Sequence, residues 1–130
     1  MTNCCFFSFS ETDRTEVLLI KGRAVNSNYA NLNFRVQDLL ARWDTTDAAV
    51  IRQAISKAMT GTSRTIVFVG NDTWLSRWVP EEVEMTVDYK KPVYAIRVPG
   101  TYGPIPSCLT SRGITVYDWG ESNLQALATA

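Results

Sequence analysis

The sequence predicts an α/β domain in which a five-stranded parallel sheet lies between two layers of helices. Segments rich in β-branched and aromatic residues alternate with segments of helical periodicity, and this order favours right-handed strand–helix–strand crossovers. The strand candidates are largely continuous apolar runs, which is typical of strands covered on both faces. A chain of 130 residues can bury a core without disulfides or metal, so residues 1–130 are expected to form a single domain.

Four segments carry the strand signal, each bounded by glycine, proline or small polar residues. They are residues 4–9 (CCFFSF), 64–70 (RTIVFVG), 91–98 (KPVYAIRV) and 113–119 (GITVYDW). The sheet needs one more strand between the first two helices, and residues 33–39 (NFRVQDL) are placed there.

Helix signals lie between the strands. Ser10 followed by Asp13 fits a capping box that opens a helix from residue 11 into the twenties. Pro80 is expected in the first turn of a helix that runs to about residue 89. A short helix is expected over residues 121–128.

The helix expected over residues 44–59 has an apolar stripe, and Gly61 follows it as a stop signal. The stripe consists of Ala48, Ile51, Ile55 and Met59. By contrast, residues 99–113 hold three prolines and three glycines, so they are expected to form an irregular surface connection.

These elements give a flavodoxin-like three-layer sandwich. In such folds the ligand crevice lies outside the carboxyl ends of the strands. Here that edge is built from residues 8–10, residues 70–73 and the loops after Val98 and Tyr117.

Composition excludes several classes of protein. The 13 basic and 13 acidic residues leave no basic footprint for nucleic acid. No segment approaches the ~20 apolar residues that span a bilayer, and the first residues turn polar too soon for a secretory leader. A cytoplasmic protein is expected, whose three cysteines, without CxxC spacing, are reduced and mostly buried.

The sequence contains no histidine, which removes histidine-based triads and HExxH zinc sites. No phosphate-binding glycine loop or GxSxG motif is present either. No metal site is expected, and any reaction must rest on carboxylates or hydroxyls.

The segment WLSRWVPEEVEM, residues 74–85, places three glutamates in and beside one helical turn. On a helical wheel of about 100° per residue, Val79, Val83 and Val87 form the stripe that should face the sheet. Glu81 then points into solvent.

Glu82 and Glu84 fall on opposite flanks of that stripe. Glu82 alone shares its flank with Trp78 and Met85, and it lies where the helix dipole favours a negative charge. Complementing the dipole is itself a sufficient structural explanation for such acids, and Trp78 can equally be a core anchor.

Two further segments resemble the motifs of TIR domains. FFSFSETDRT, residues 6–15, looks like their first box, an apolar strand that ends in Ser-Phe before an acidic turn. IVFVGNDTWLSRWVPEEVEMTV, residues 66–87, resembles the later strand, loop and Ser-x-Trp-Cys-x-x-Glu-Leu motif, with valine at the cysteine position. The surrounding segments look closest to the bacterial TIR-like branch, which includes the signalling proteins of Thoeris anti-phage systems.

The resemblance implies an enzyme that cleaves the bond between nicotinamide and ribose in NAD, with Glu82 as the catalytic glutamate. It implies NAD as substrate and no cofactor, since nicotinamide leaves without protonation and a fixed carboxylate can stabilise the developing positive charge. The match also places Ser8, Phe9 and Ser10 at the strand end that lines the pocket.

The remaining roles follow the same match. Asp13 falls in the acidic turn, where capping explains it as well, and Ser76 either contacts substrate or caps the loop before Pro80. Trp78 either walls the nicotinamide site or packs in the core. The implied partners are NAD, a separate effector reached by a small-molecule product, a viral trigger and a second copy of the chain, with no nucleic acid and no membrane.

Two other functions stay open at this point. The first is a non-enzymatic TIR-like interaction module, which composition does not distinguish from an enzyme. The second is a receiver domain with Asp72 as phosphoacceptor, although only a single acid closely follows the first strand and no lysine lies near Tyr117.

Overall fold

A computed structural model of the protein describes residues 4–25, 35–38 and 47–130. Its strands are all parallel and form a sheet in the order β2-β1-β3-β4-β5. They are β1 (Cys4–Ser8), β2 (Arg35–Asp38), β3 (Arg64–Val69), β4 (Val93–Arg97) and β5 (Val116–Tyr117). The predicted α/β fold with a five-stranded parallel sheet is confirmed.

The helices are α1 (Arg14–Val25), α2 (Ala48–Met59), α3 (Trp78–Asp88), α4 (Ser107–Thr110) and α5 (Glu121–Thr129). Two single 3₁₀ turns precede α1 and α3, at Glu11–Asp13 and Thr73–Leu75. Among the described residues, no helix is both long enough and apolar enough to cross a lipid bilayer.

The central strands bury both faces, as their continuous apolar runs predict. Phe6 and Phe7 are adjacent in β1 and belong to different clusters, because successive side chains of a strand point to opposite faces. Phe7 packs with residues of α1 and α5, while Phe6 packs with residues of α2 and α3. The sheet therefore lies between two helical layers.

The start of α1 differs from its prediction. Ser10 makes no side-chain capping bond, and its hydroxyl lies 3.2 Å from that of Thr12. The chain first forms the 3₁₀ turn, in which the Asp13 N–H donates to the Ser10 carbonyl, and α1 begins at Arg14. The expected capping role of Asp13 is wrong, because its carboxylate is buried against another loop.

Helix α2 begins at Ala48, later than predicted, because the Asp47 side chain caps it by accepting from the Ala49 N–H at 2.9 Å. The predicted start at residue 44 lies outside the described part of the chain. Ile51 and two further residues of the predicted stripe are buried, but Ala48 is exposed and Ala54 takes its place in the core.

Helix α3 begins two residues before Pro80 and is capped by Ser76, whose hydroxyl accepts from the N–H groups of Trp78 and Val79. Val79 and Val83 are buried as predicted, but Val87 is 43% exposed and Thr86 is buried in its place. The hydroxyl of Thr86 finds partners inside the fold, so burying it leaves no polar group unsatisfied.

The sheet ends at a short edge strand. β5 has two residues, fewer than the predicted 113–119 segment, and Tyr117 is exposed. The connection over residues 99–113, predicted to be irregular, contains the single-turn helix α4.

The three cysteines are free thiols; Cys4 and Cys5 are buried and Cys108 is half-buried. The predicted burial therefore holds for Cys4 and Cys5. Burial raises the pKa of the Cys5 thiol to about 12, despite the nearby positive charge of Arg64. Because the thiolate is the reactive form, Cys5 is expected to be inert while the protein is folded.

We therefore expect iodoacetamide at about pH 8 to leave Cys5 unmodified in the native protein and to modify all three thiols after unfolding, since pH 8 lies close to the ordinary thiol pKa. Peptide mass spectrometry gives the modified fraction of each cysteine. Rapid native labelling of Cys5 would contradict the burial of its thiol.

Candidate functional site

Glu82 lies at the carboxyl end of β1, where it meets Ser8. The Ser8 hydroxyl donates a hydrogen bond of 2.8 Å to Oε1 of Glu82. Both residues are 0% exposed, so Glu82 is deeper than the flank position that the helical wheel predicts. The hydrogen bond from the Ser8 hydroxyl orients this buried carboxyl group.

Helix α3 is tied to the sheet one turn beyond Glu82. The hydroxyl of Thr86 donates to the Glu82 carbonyl at 2.7 Å and lies 2.6 Å from the Thr65 hydroxyl of β3. With Ser76 capping the first turn, these bonds fix the helix that carries Glu82.

Arg52 of α2 ties the outer side of α3. Its guanidinium lies 3.1 Å from a carboxylate oxygen of Glu81, 2.7 Å from Glu84 and 3.7 Å from Asp88. We call these four residues the Arg52 cluster. Glu81, predicted to point into solvent, has a side chain only 26% exposed and faces α2.

Trp78 and Phe9 both pack in the core. Trp78 lies with Phe6 and Ile55 between the sheet and α2, and Phe9 lies on the opposite face of the sheet with Val17. Their packing accounts for their burial, and the two aromatic rings belong to different hydrophobic clusters.

Asp13 forms a second buried carboxyl at the same edge of the sheet. Its Oδ2 lies 3.4 Å from the hydroxyl of Thr73, which also accepts from the Gly70 N–H at 2.7 Å. The carboxyl group rests directly on Gly70, where a Cβ atom would overlap it. The β3–α3 loop and the turn before α1 are thereby locked together.

The chain matches the family model described as "Thoeris protein ThsB, TIR-like domain" over residues 6–102. The chain belongs to this family. The matched part of this TIR-like domain contains every residue predicted for the site, from Ser8 to Glu82. Family membership leaves the receiver alternative, with Asp72 as phosphoacceptor, without support.

A solved structure gives the same fold. The TIR domain of the Toll-related receptor TRR-2 from the lower metazoan Hydra magnipapillata matches with a TM-score of 0.57 at 16% identity, over 96% of this chain and 90% of that one. At this identity the likeness concerns the fold alone. A comparison with curated proteins gives no match.

In the folded TIR-like domain, some of the residues predicted for the site contact one another and others have different partners. Ser8 and Glu82 share a hydrogen bond, whereas Ser76 caps α3 and the Ser10 hydroxyl contacts Thr12. Asp13 turns to Thr73.

The sequence did not indicate a role for Thr73 or for Arg52. Thr73 is 0% exposed and bonds the Gly70 N–H three residues back, and a threonine after Gly-Asn-Asp is a signal for such a turn. Nothing local to Arg52 indicates its position, because its carboxylate partners belong to another helix.

The buried Asp13 gives the domain a pH dependence of stability. Burial raises the pKa of its carboxyl above the ordinary 3.8, as does the charge of Asp72, while the Thr73 hydrogen bond lowers it. The folded state thus binds this proton more tightly than the unfolded state. The resulting stability is fully present below the unfolded pKa and is lost as the pH rises through the folded pKa.

We therefore expect the melting temperature of Asp13→Asn, relative to that of the wild type, to increase as the pH rises from about 3 towards 7. The starting pH lies below the ordinary aspartate pKa. The difference should level off once Asp13 is ionised in both states. Thermal melts across that range measure it, with Asp118→Asn as an exposed control. A difference that shrinks as the pH rises would contradict the assignment.

Proposed function

We propose that this TIR-like domain cleaves NAD at the nicotinamide–ribose bond and releases an ADP-ribose derivative, linear or cyclic. That product would activate a separate effector protein in anti-phage defence. The observation that carries the proposal is the hydrogen bond from Ser8 to the buried carboxyl of Glu82 at the carboxyl edge of a parallel sheet. That edge is where doubly wound α/β domains bind ligands.

The chemistry suits a site without histidine. The bond from the ribose C1′ to the nicotinamide nitrogen breaks, and its electron pair leaves with neutral nicotinamide. The ribose then carries oxocarbenium-like positive charge, which a fixed carboxylate stabilises. Water, or a hydroxyl of the same molecule, attacks C1′ and loses a proton, so no cofactor or oxidant is required.

Each residue receives a defined role. Glu82 faces the developing positive charge, and Ser8 is a positioning residue that holds the carboxyl group in one orientation. Asp13 and Thr73 shape the edge by fixing the β3–α3 loop. Trp78 packs in the core with Phe6 and Ile55 and has no direct role in the reaction.

The depth of Glu82 bears on when the enzyme would work. A carboxyl that is 0% exposed meets substrate only after the groups that cover it move. We propose that a viral trigger or a second copy of the chain opens the site, so the isolated protein turns over slowly.

The test is nicotinamide release from NAD by concentrated protein, alone and with phage-infected cell extract, compared with Glu82→Gln. Liquid chromatography with mass spectrometry identifies the second product. Release by the wild type and none by the variant supports the proposal. Equal release by both proteins, or none by the folded wild type under either condition, contradicts it.

A second candidate function is a non-enzymatic interaction module. The complete burial of Glu82 favours it, because a carboxyl that only braces α3 against Ser8 needs no access to solvent. If the protein is an interaction module, Glu82→Gln should leave the protection of cells against phage unchanged. If the protein is an enzyme, the same substitution should abolish that protection.

A further inference from the structure

A cavity of about 210 Å³ opens at the carboxyl ends of β4 and β5, away from Glu82. Its walls are residues 97–102, which end β4 and begin the following loop, together with Asp118 and Trp119 after β5. We call it the Arg97 cavity. Because β3 lies between β1 and β4 in the sheet, this cavity and the Ser8–Glu82 pair occupy different parts of the same edge.

Arg97 brings a positive charge to this cavity. Its Nη1 atom is shielded from solvent and has no hydrogen-bond partner among the described residues. A guanidinium stays protonated at every physiological pH, so Arg97 keeps this positive charge. An anion that enters the cavity is attracted by this fixed charge and gains charge-assisted hydrogen bonds where it reaches the guanidinium.

The opposite wall offers two other kinds of contact. Trp119 is half-buried and packs against the core cluster of α5, which gives the cavity a rigid aromatic side. Asp118 is exposed and lines the cavity, and a carboxylate side chain can accept hydrogen bonds. A simple anion gains from Arg97 but is repelled by Asp118, whereas a ligand that also carries hydroxyl groups gains from both.

The loop that forms the rim is held in place. The Thr101 hydroxyl lies 2.7 Å from the Val98 carbonyl and 3.2 Å from that of Val69, and the Tyr102 N–H donates to Oδ1 of Asn71 at 2.8 Å. Gly103 lies so close to the Asn71 backbone that a Cβ atom would overlap it. The cavity therefore exists before a ligand arrives, which lowers the entropic cost of binding.

We propose that the Arg97 cavity is a second binding site, for a small phosphorylated sugar. The phosphate contacts the guanidinium of Arg97, sugar hydroxyls donate to Asp118, and the apolar face of the sugar lies against Trp119. A volume of about 210 Å³ suits a ligand of this size, not a dinucleotide. The site is independent of the chemistry proposed for Glu82.

Calorimetric titration with ribose 5-phosphate, inorganic phosphate and ribose tests the proposal. The expected order of affinity is ribose 5-phosphate, then phosphate, then ribose. Arg97→Gln should weaken ribose 5-phosphate at least about tenfold, since the lost contact is charge-assisted. Arg112→Gln is the matched control, because Arg112 bonds the Cys108 carbonyl of α4 and lies outside the cavity.

Asp118→Asn is expected to change the affinity for phosphate in the opposite direction to Arg97→Gln. Removing this carboxylate should tighten phosphate and reduce the advantage of ribose 5-phosphate over phosphate. If Arg97→Gln fails to fold, the comparison of Asp118→Asn with the wild type tests the proposal. A second test is Trp119→Phe, which should abolish any change in tryptophan fluorescence that ribose 5-phosphate causes. Binding that is unaffected by the Arg97 and Asp118 substitutions, or no binding of ribose 5-phosphate at millimolar concentration, would overturn the proposal.

Discussion

Glu82→Gln is expected to lower nicotinamide release by at least about a hundredfold to a thousandfold, the loss that follows removal of one preorganised electrostatic group from an active site. Glutamine keeps the shape of the side chain and an oxygen that accepts from the Ser8 hydroxyl, so the fold should persist. Glu82→Ala would be harder to interpret, since emptying a fully buried position also leaves a cavity that destabilises the fold.

Two further variants separate catalysis from folding. Glu84→Gln removes one carboxylate from the same helix at an exposed position paired with Arg52, so it should leave nicotinamide release unchanged. Ser8→Ala should slow release through misorientation of Glu82 and lower kcat more than it raises KM. If Glu84→Gln were as damaging as Glu82→Gln, the effect would belong to the helix and not to one carboxyl group.

Gly70→Ala is expected to destabilise the protein by about 1–3 kcal/mol, the usual cost of forcing a methyl group into a packed site. The new Cβ would overlap the carboxyl group of Asp13, which is buried and fixed by the turn before α1. Urea denaturation should show a lower midpoint with an unchanged slope.

A double variant tests the cause of that loss. Combining Asp13→Ala with Gly70→Ala removes the overlap, so the two changes together should cost less than the sum of the single changes, by about 0.5–3 kcal/mol. Gly22→Ala is the control, since Gly22 lies in α1 and no other part of the described chain comes within 4 Å of where its Cβ would lie. It should stabilise the protein by about 0.5–1 kcal/mol, and strict additivity of the first pair would refute the overlap.

The sequence predicted the sheet and the position of α3 because their signals are local. The continuous apolar run of β3 and the motif that leads to Glu82 lie within one short segment. The wheel failed for Glu81 because it describes one helix without its neighbour, and Arg52 sits on that neighbour. It failed for Val87 because a hydrophobicity pattern cannot anticipate that Thr86 finds hydroxyl and carbonyl partners in the core.

The sequence also failed to predict the start of α1, because the contact that decides it joins distant parts of the chain. Asp13 has a local capping explanation, yet its carboxyl turns to Thr73, a residue 60 positions later in the chain. Burial of the Ser8–Glu82 pair is likewise a contact between β1 and α3 that only the folded chain creates. Such contacts across the sheet edge define the candidate site, which is why the sequence named Ser8 and Glu82 but not the hydrogen bond that joins them.

The shortness of β5 limits how copies of this chain can join. An incoming strand is held by a row of unpaired backbone groups along a sheet edge, and the edge at β5 offers only the two residues Val116–Tyr117. Extension of the sheet at this edge would gain few hydrogen bonds, which protects the folded protein against edge-to-edge aggregation there. Ordered filaments or dimers formed on this side of the molecule would have to rely on helix and loop surfaces.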